Sequence, residues 1–169
     1  MTLRVFLSFL MLASSAGVAT AHAQLEAGIP VGSQAPPVVI NDLDGRPVDL
    51  GRVIGSKPVL LEFWATWCAL CKKLLPELAL VRKTFGERIE IYGVNVVVND
   101  SKSRVRRYLE EHRPPFQVLY DEKGAGARAF DVPGTSFIVV LDRRGRVVYT
   151  GTGGDQDLVA AVRRATPEP

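Results

Sequence analysis

The chain alternates short apolar runs with amphipathic stretches. Val38-Val39-Ile40 and Val48-Asp49-Leu50 flank Asp44-Gly45, a β-hairpin signal. Val59 to Trp64 is apolar at every position except Glu62, as expected for a central strand covered on both faces. The stretch after it carries Leu70, Leu74, Leu78, Val81 and Phe85 at helical spacing, with Lys72, Lys73, Glu77, Arg82 and Lys83 mostly elsewhere around the axis. Gly86 can end that helix, and Pro76 inside it is expected to kink it. Ile89 to Val98 reads as another buried strand. Ser101 caps a helix bearing Val105, Tyr108 and Leu109, which stops near Pro114-Pro115. Phe116 to Tyr120 is a short strand, and Asp121 to Phe130 a weak helix interrupted by Gly124 and Gly126. Ser136 to Leu141 and Arg146 to Thr150 form a second hairpin around Arg143-Arg144-Gly145. The last helix begins with Asp155 and Asp157 and ends with Arg163 and Arg164, matching its dipole. A hairpin followed by β-α-β-α-β-α-β-β-α predicts an α/β fold with a central mixed sheet flanked by helices.

The N-terminus has a different character. Arg4 precedes the apolar run Val5 to Ala13, and Ala21-His22-Ala23 reads as a cleavage site. Residues 1–23 are therefore expected to be an export signal, with an uncleaved membrane anchor as the alternative. The apolar stretch is short for a spanning helix and is diluted by Ser14, Ser15, Gly17 and Thr20. Cleavage of the first 23 of 169 residues leaves 146, the size of one compact domain. Residues 24–31 read as an N-terminal tail, 32–165 as the domain and 166–169 as a fraying end.

The formal net charge of +3 points to no particular partner. The basic run Lys102 to Arg107 reads as the solvated face of a helix, so no nucleic-acid partner is expected. His112 reads as a solvated helix-end residue. Gly151-Thr152-Gly153-Gly154 lacks the lysine of a phosphate-binding loop.

The chemistry concentrates in Trp67-Cys68-Ala69-Leu70-Cys71, which holds the only two cysteines of the chain. A structural bridge closing so small a loop adds little stability, because the entropy removed from the unfolded chain grows with loop length. A tetrahedral zinc site needs four ligands, and beyond the pair there are only His22 and His112. A strand followed by CxxC at a helix start suits thiol–disulfide exchange. Cys68 is the expected nucleophile, since free N–H groups and the positive end of the helix dipole stabilise a thiolate there. Cys71, one turn later, can attack a mixed disulfide at Cys68.

These residues resemble the thioredoxin superfamily, and within it the exported TlpA/ResA/CcmG-like branch of thiol–disulfide oxidoreductases. Lys57 to Cys71 is similar to the active-site strand and turn. Gly32-Ser33-Gln34-Ala35-Pro36 and Asp44 to Leu50 look like the N-terminal hairpin, and Pro76 matches the family's helix proline. The resemblance covers about Val31 to Ala165 and implies a thioredoxin fold.

It also assigns roles. Glu62, six residues before Cys68, stands where thioredoxin carries a buried aspartate that accepts a proton from the second cysteine. Many TlpA-like proteins carry that acid just after the CxxC, where this chain has Leu74. A carboxyl buried beside a thiol has a raised pKa and can shuttle a proton. The alternative is a strand-end glutamate reaching solvent. Pro133, in Val132-Pro133-Gly134-Thr135-Ser136-Phe137, is the candidate for the family's substrate-binding cis-proline facing the CxxC, although strict spacing places Gly134 there. Thr135 follows on the same segment. Trp67 is expected to shield the disulfide, and Trp64 to lie in the core.

The resemblance implies reduction of disulfides in exported proteins, apocytochrome c among them. Electrons would come from an upstream dithiol such as a membrane thiol transporter, with no metal or organic cofactor. Two rivals remain. A peroxiredoxin-like peroxidase needs a Pro and a Thr shortly before a single cysteine, but Thr66 is only two residues before Cys68 and no proline lies close upstream. A non-catalytic copper-binding module needs wider cysteine spacing and a well-placed histidine.

Overall fold

The computed structural model describes residues 28–166. The export-signal reading and the chain end beyond Thr166 lie outside the described residues. Seven strands form one mixed sheet: β1 (Val39–Asp42), β2 (Pro47–Asp49), β3 (Val59–Trp64), β4 (Glu90–Asn95), β5 (Gln117–Tyr120), β6 (Phe137–Leu141) and β7 (Val147–Thr152). Their order across the sheet is β2-β1-β5-β4-β3-β6-β7. β3–β4 and β4–β5 are parallel, each joined by a crossover helix, and the remaining pairs are antiparallel. The helices are α1 (Leu50–Val53), α2 (Ala69–Phe85), α3 (Lys102–His112), α4 (Ala125–Ala129) and α5 (Leu158–Ala165). The expected fold class, including the N-terminal hairpin, is what forms.

Alternation along β3 divides the core. Side chains of a strand point to opposite faces in turn. Val59, Leu61 and Phe63 therefore pack on one side with Leu50, Phe130 and Phe137. Leu60 packs on the other with Leu74, Leu78 and Val81 of α2 and Leu158 and Val162 of α5. Trp64 shares that second side and meets Val105 and Tyr108 of α3. Glu62 lies between Leu60 and Trp64 in sequence and so on the same helix-covered face.

Both hairpins use one device, the sequence Asp-x-x-Gly-Arg. Asp42 Oδ1 accepts from the N–H groups of Asp44 and Arg46, and Asp142 Oδ1 accepts from those of Arg144 and Arg146. Gly45 (φ 85°) and Gly145 (φ 75°) adopt the left-handed backbone that each turn requires.

Several elements depart from the sequence reading. α1 was not expected; Asp49 caps it by accepting from Gly51 N–H. β4 ends at Asn95, three residues short of the expected strand. Thr166 does not fray: its N–H and hydroxyl both bond back to Val162 O. Packing also begins before residue 32, since Ile29 donates to Phe130 O and lies against the core.

Candidate active site

The CxxC sits where the sheet hands over to α2. Cys68 is the helix N-cap, and its Sγ accepts from the N–H of Cys71 at 3.0 Å. The two sulfurs form a disulfide. Cys71, Leu74 and Leu78 recur on the buried face of α2, which turns the second cysteine toward Trp64 and Tyr108. The sequence makes Cys68 the nucleophile by its place at the helix start, where it would also be the more exposed thiol. In the disulfide it is 4% exposed against 2% for Cys71, so accessibility hardly separates them and position on the helix does.

Glu62 is buried, at 1% exposure. The solvent-reaching alternative is thereby excluded. Its register partners are Gly93 in β4 and Ile138 in β6. The ring of Phe116 occupies the space a side chain on Gly93 would need. Among the described residues Glu62 Oε1 has no hydrogen-bond partner. Burial without compensation pushes the carboxyl up to about 8, from an ordinary 4.5. Tyr108 is pushed up to about 12 by burial and by the Glu62 charge. Trp64, two residues along the same face, also keeps a buried Nε1 without a partner among the described residues. Its ring lies 5.0 Å from that of Tyr108 and 5.5 Å from that of Phe116. As expected, Trp64 is core. Tyr108 in turn carries His112, stacked at 4.0 Å on its outer side.

Trp67 is half exposed and donates from Nε1 to Val98 O at 2.7 Å. A groove of about 430 Å3 runs beside it, walled by Val96, Val98, Val132, Gly134 and Thr135 among others. The structure thus brings Trp67, Gly134 and Thr135 to one surface. Pro133 is exposed and does not line the groove. The expected cis bond is absent: Val132–Pro133 is trans, and no described peptide bond is cis. The segment turns instead at Ser136, left-handed at φ 60° and fully buried. Its Oγ accepts from Gly153 N–H, while Gln156 Nε2 donates to Gly153 O.

One residue of this neighbourhood escaped the sequence reading. Asp100 bonds the turn that leads into Cys68, through Thr66. Only its place in a polar Asn-Asp-Ser cluster before α3 marks it in the sequence.

The arrangement matches known proteins. The AhpC/TSA family profile matches residues 31–150. The chain belongs to the AhpC/TSA family. Among its relatives, thiol-disulfide oxidoreductase ResA of Bacillus subtilis is 35% identical over 123 residues, covering 72% of this chain and 67% of that one. Thioredoxin-like protein YneN of the same organism is 31% identical over 134 residues, 78% of each chain. Two solved structures are similar. One, from Chlorobium tepidum, is assigned as thiol:disulfide interchange protein DsbE, with TM-score 0.67, 26% identity, and coverage of 79% of this chain and 99% of that one. The other is the thioredoxin domain of a thiol-disulfide oxidoreductase from Bacteroides vulgatus, with TM-score 0.69, 25% identity, and coverage of 81% and 99%. This AhpC/TSA member is a thiol–disulfide oxidoreductase of the ResA/DsbE type, with Cys68 and Cys71 as its dithiol pair.

Proposed function

We propose that the protein is exported and reduces disulfides in other exported proteins, with apocytochrome c as one substrate class. Reduced Cys68 attacks a substrate sulfur, giving a mixed disulfide and a substrate thiolate. Cys71 then loses its proton to Glu62 and attacks Cys68 Sγ, releasing the second substrate thiolate and re-forming the Cys68–Cys71 disulfide. An upstream dithiol protein, such as a membrane thiol transporter, returns the two electrons. Trp67, Gly134 and Thr135 line the groove in which the substrate chain lies, and Pro133 shapes the loop behind them.

The observation that carries this reading is the fully buried Glu62, whose Oε1 has no partner among the described residues, on the helix-covered face of β3 between Leu60 and Trp64. A carboxyl poised near neutral pH suits a base for a thiol whose ordinary pKa is about 8.5. The export signal read at residues 1–23 supports the compartment.

Two measurements test it. Cys71→Ser should trap substrate proteins on Cys68, and Cys68→Ser should trap none; equal trapping by both would overturn the two-step scheme. A reduction potential near about −270 mV marks a reductant, and one near about −120 mV an oxidant. A peroxide-consumption assay beside a copper titration separates the two rival functions.

A further inference from the structure

We propose that Asp100 is a positioning residue for the redox pair, locking the turn that precedes Cys68 to the loop that follows β4. The inference rests on thiol–disulfide exchange at Cys68–Cys71 and not on the direction of electron flow.

The loop is held in a costly shape. Beyond Asn95 the chain passes through Val97 at φ 65° and Asn99 at φ 53°, both left-handed. For a β-branched residue this backbone is strained and persists only where surrounding bonds enforce it. Those bonds are present. Asn95 is fully buried, and its Oδ1 accepts from Val97 N–H at 3.0 Å. Asp100 N–H donates to Val97 O, and the Arg104 guanidinium donates to Asn99 O.

The shape delivers two acceptors to the active-site turn. Asp100 Oδ2 accepts from Thr66 N–H at 2.8 Å and from Asn95 Nδ2 at 3.0 Å. Its Oδ1 accepts from the Thr66 hydroxyl at 2.8 Å. Val98 O accepts from Trp67 Nε1. Thr66 and Trp67, the two residues before Cys68, are therefore both fastened to one strained loop. The turn itself closes through Cys68 N–H to Ala65 O at 3.1 Å. Thr66 is buried, so water competes little for its bonds. A Cys68 thiolate gains from the α2 N-terminus only while the turn keeps Sγ over the Cys71 N–H. Asp100 supplies that constraint through Thr66.

Two uncharged variants isolate it. In Asp100→Asn the amide oxygen, at the place of Oδ2, keeps both N–H bonds, and the NH2 group donates to a Thr66 hydroxyl turned to accept. Asp100→Ala loses all three. The Cys68–Cys71 couple of each is equilibrated with glutathione buffers, and the Cys68 thiolate is titrated by ultraviolet absorbance. Relative to the Asn variant, the Ala variant should lie about tenfold further toward the disulfide, about 30 mV more reducing. Its Cys68 thiolate should form at higher pH. Coincidence of the two variants in potential and in thiol titration would overturn the proposal. If Asp100→Ala does not fold, Thr66→Val removes only the hydroxyl bond and should shift the equilibrium about threefold in the same direction; an unshifted couple overturns the proposal equally. A wild-type couple inert to glutathione would overturn the thiol–disulfide reading as well, and the wild type alone reveals it.

Discussion

The N–H of Cys71 points at the Sγ of Cys68 across 3.0 Å. In the reduced protein this donor favours the Cys68 thiolate, while no N–H among the described residues donates to Cys71 Sγ. Iodoacetamide at mildly acidic pH should therefore label Cys68 first, several-fold faster than Cys71. Peptide mapping after brief alkylation checks this; preferential labelling of Cys71 would reverse the assignment.

Glu62 links stability to pH. Its carboxyl is raised to about 8 in the folded chain from 4.5. The folded state thus holds a proton that the unfolded state has lost. The stabilising contribution is complete below pH 4.5 and is lost as pH rises through about 8, with a slope approaching about 1.4 kcal/mol per pH unit between them. Glu62→Gln should flatten that slope and be the more stable protein above pH 8. It should also resolve mixed disulfides more slowly. Urea unfolding at pH 5, 7 and 9 gives the first outcome and quenched turnover gives the second. Parallel pH curves for the two proteins would mean that Glu62 does not titrate in this range.

Trp67 is half exposed and lines the groove beside the disulfide. Replacing it by alanine removes one wall of the groove and the bond to Val98 O. Losing a central aromatic contact costs about 1–2 kcal/mol of binding. Trp67→Ala should therefore lower kcat/KM about tenfold on a protein disulfide. The loss on a small disulfide such as oxidised glutathione should be much smaller. Equal losses on both would place Trp67 in the chemistry instead of in recognition.

Gly93 is a packing requirement. A Cβ there would overlap the Phe116 ring, which itself packs on Trp64. Gly93→Ala should cost about 1–3 kcal/mol, the usual range for overpacking. Guanidinium unfolding measures it. A neutral result would show that Phe116 can swing aside.

The sequence was informative where local rules and tertiary contacts agree. The apolar run Val59 to Trp64 marks a central strand, and Glu62 stands out in it as the single polar residue. The turns at Asp44-Gly45 and Arg143-Arg144-Gly145 and the cap at Ser101 act within a few residues, so they are legible too. β4 was read too long because Val96-Val97-Val98 has high strand propensity. The side-chain bonds of Asn95 and Asp100, made across the fold, overrule that propensity. For the same reason Asp100 itself was invisible: its partner Thr66 lies 34 positions away. The left-handed turn at Ser136 is likewise held by the loop before α5, which no pattern in Val132 to Phe137 reveals.

β1 seals β5. Only Asn41–Tyr120 and Asp42–Leu119 join the two strands. Without them β5 would be the rim of the sheet, offering free N–H and C=O groups to any passing chain, and such rims template intermolecular association. The strand that takes the outer place, β2, is three residues long and begins with Pro47, which has no N–H to give. At this side of the sheet the border is therefore blunted, and a chain that approaches it finds a short strand with one donor missing instead of a long open ladder.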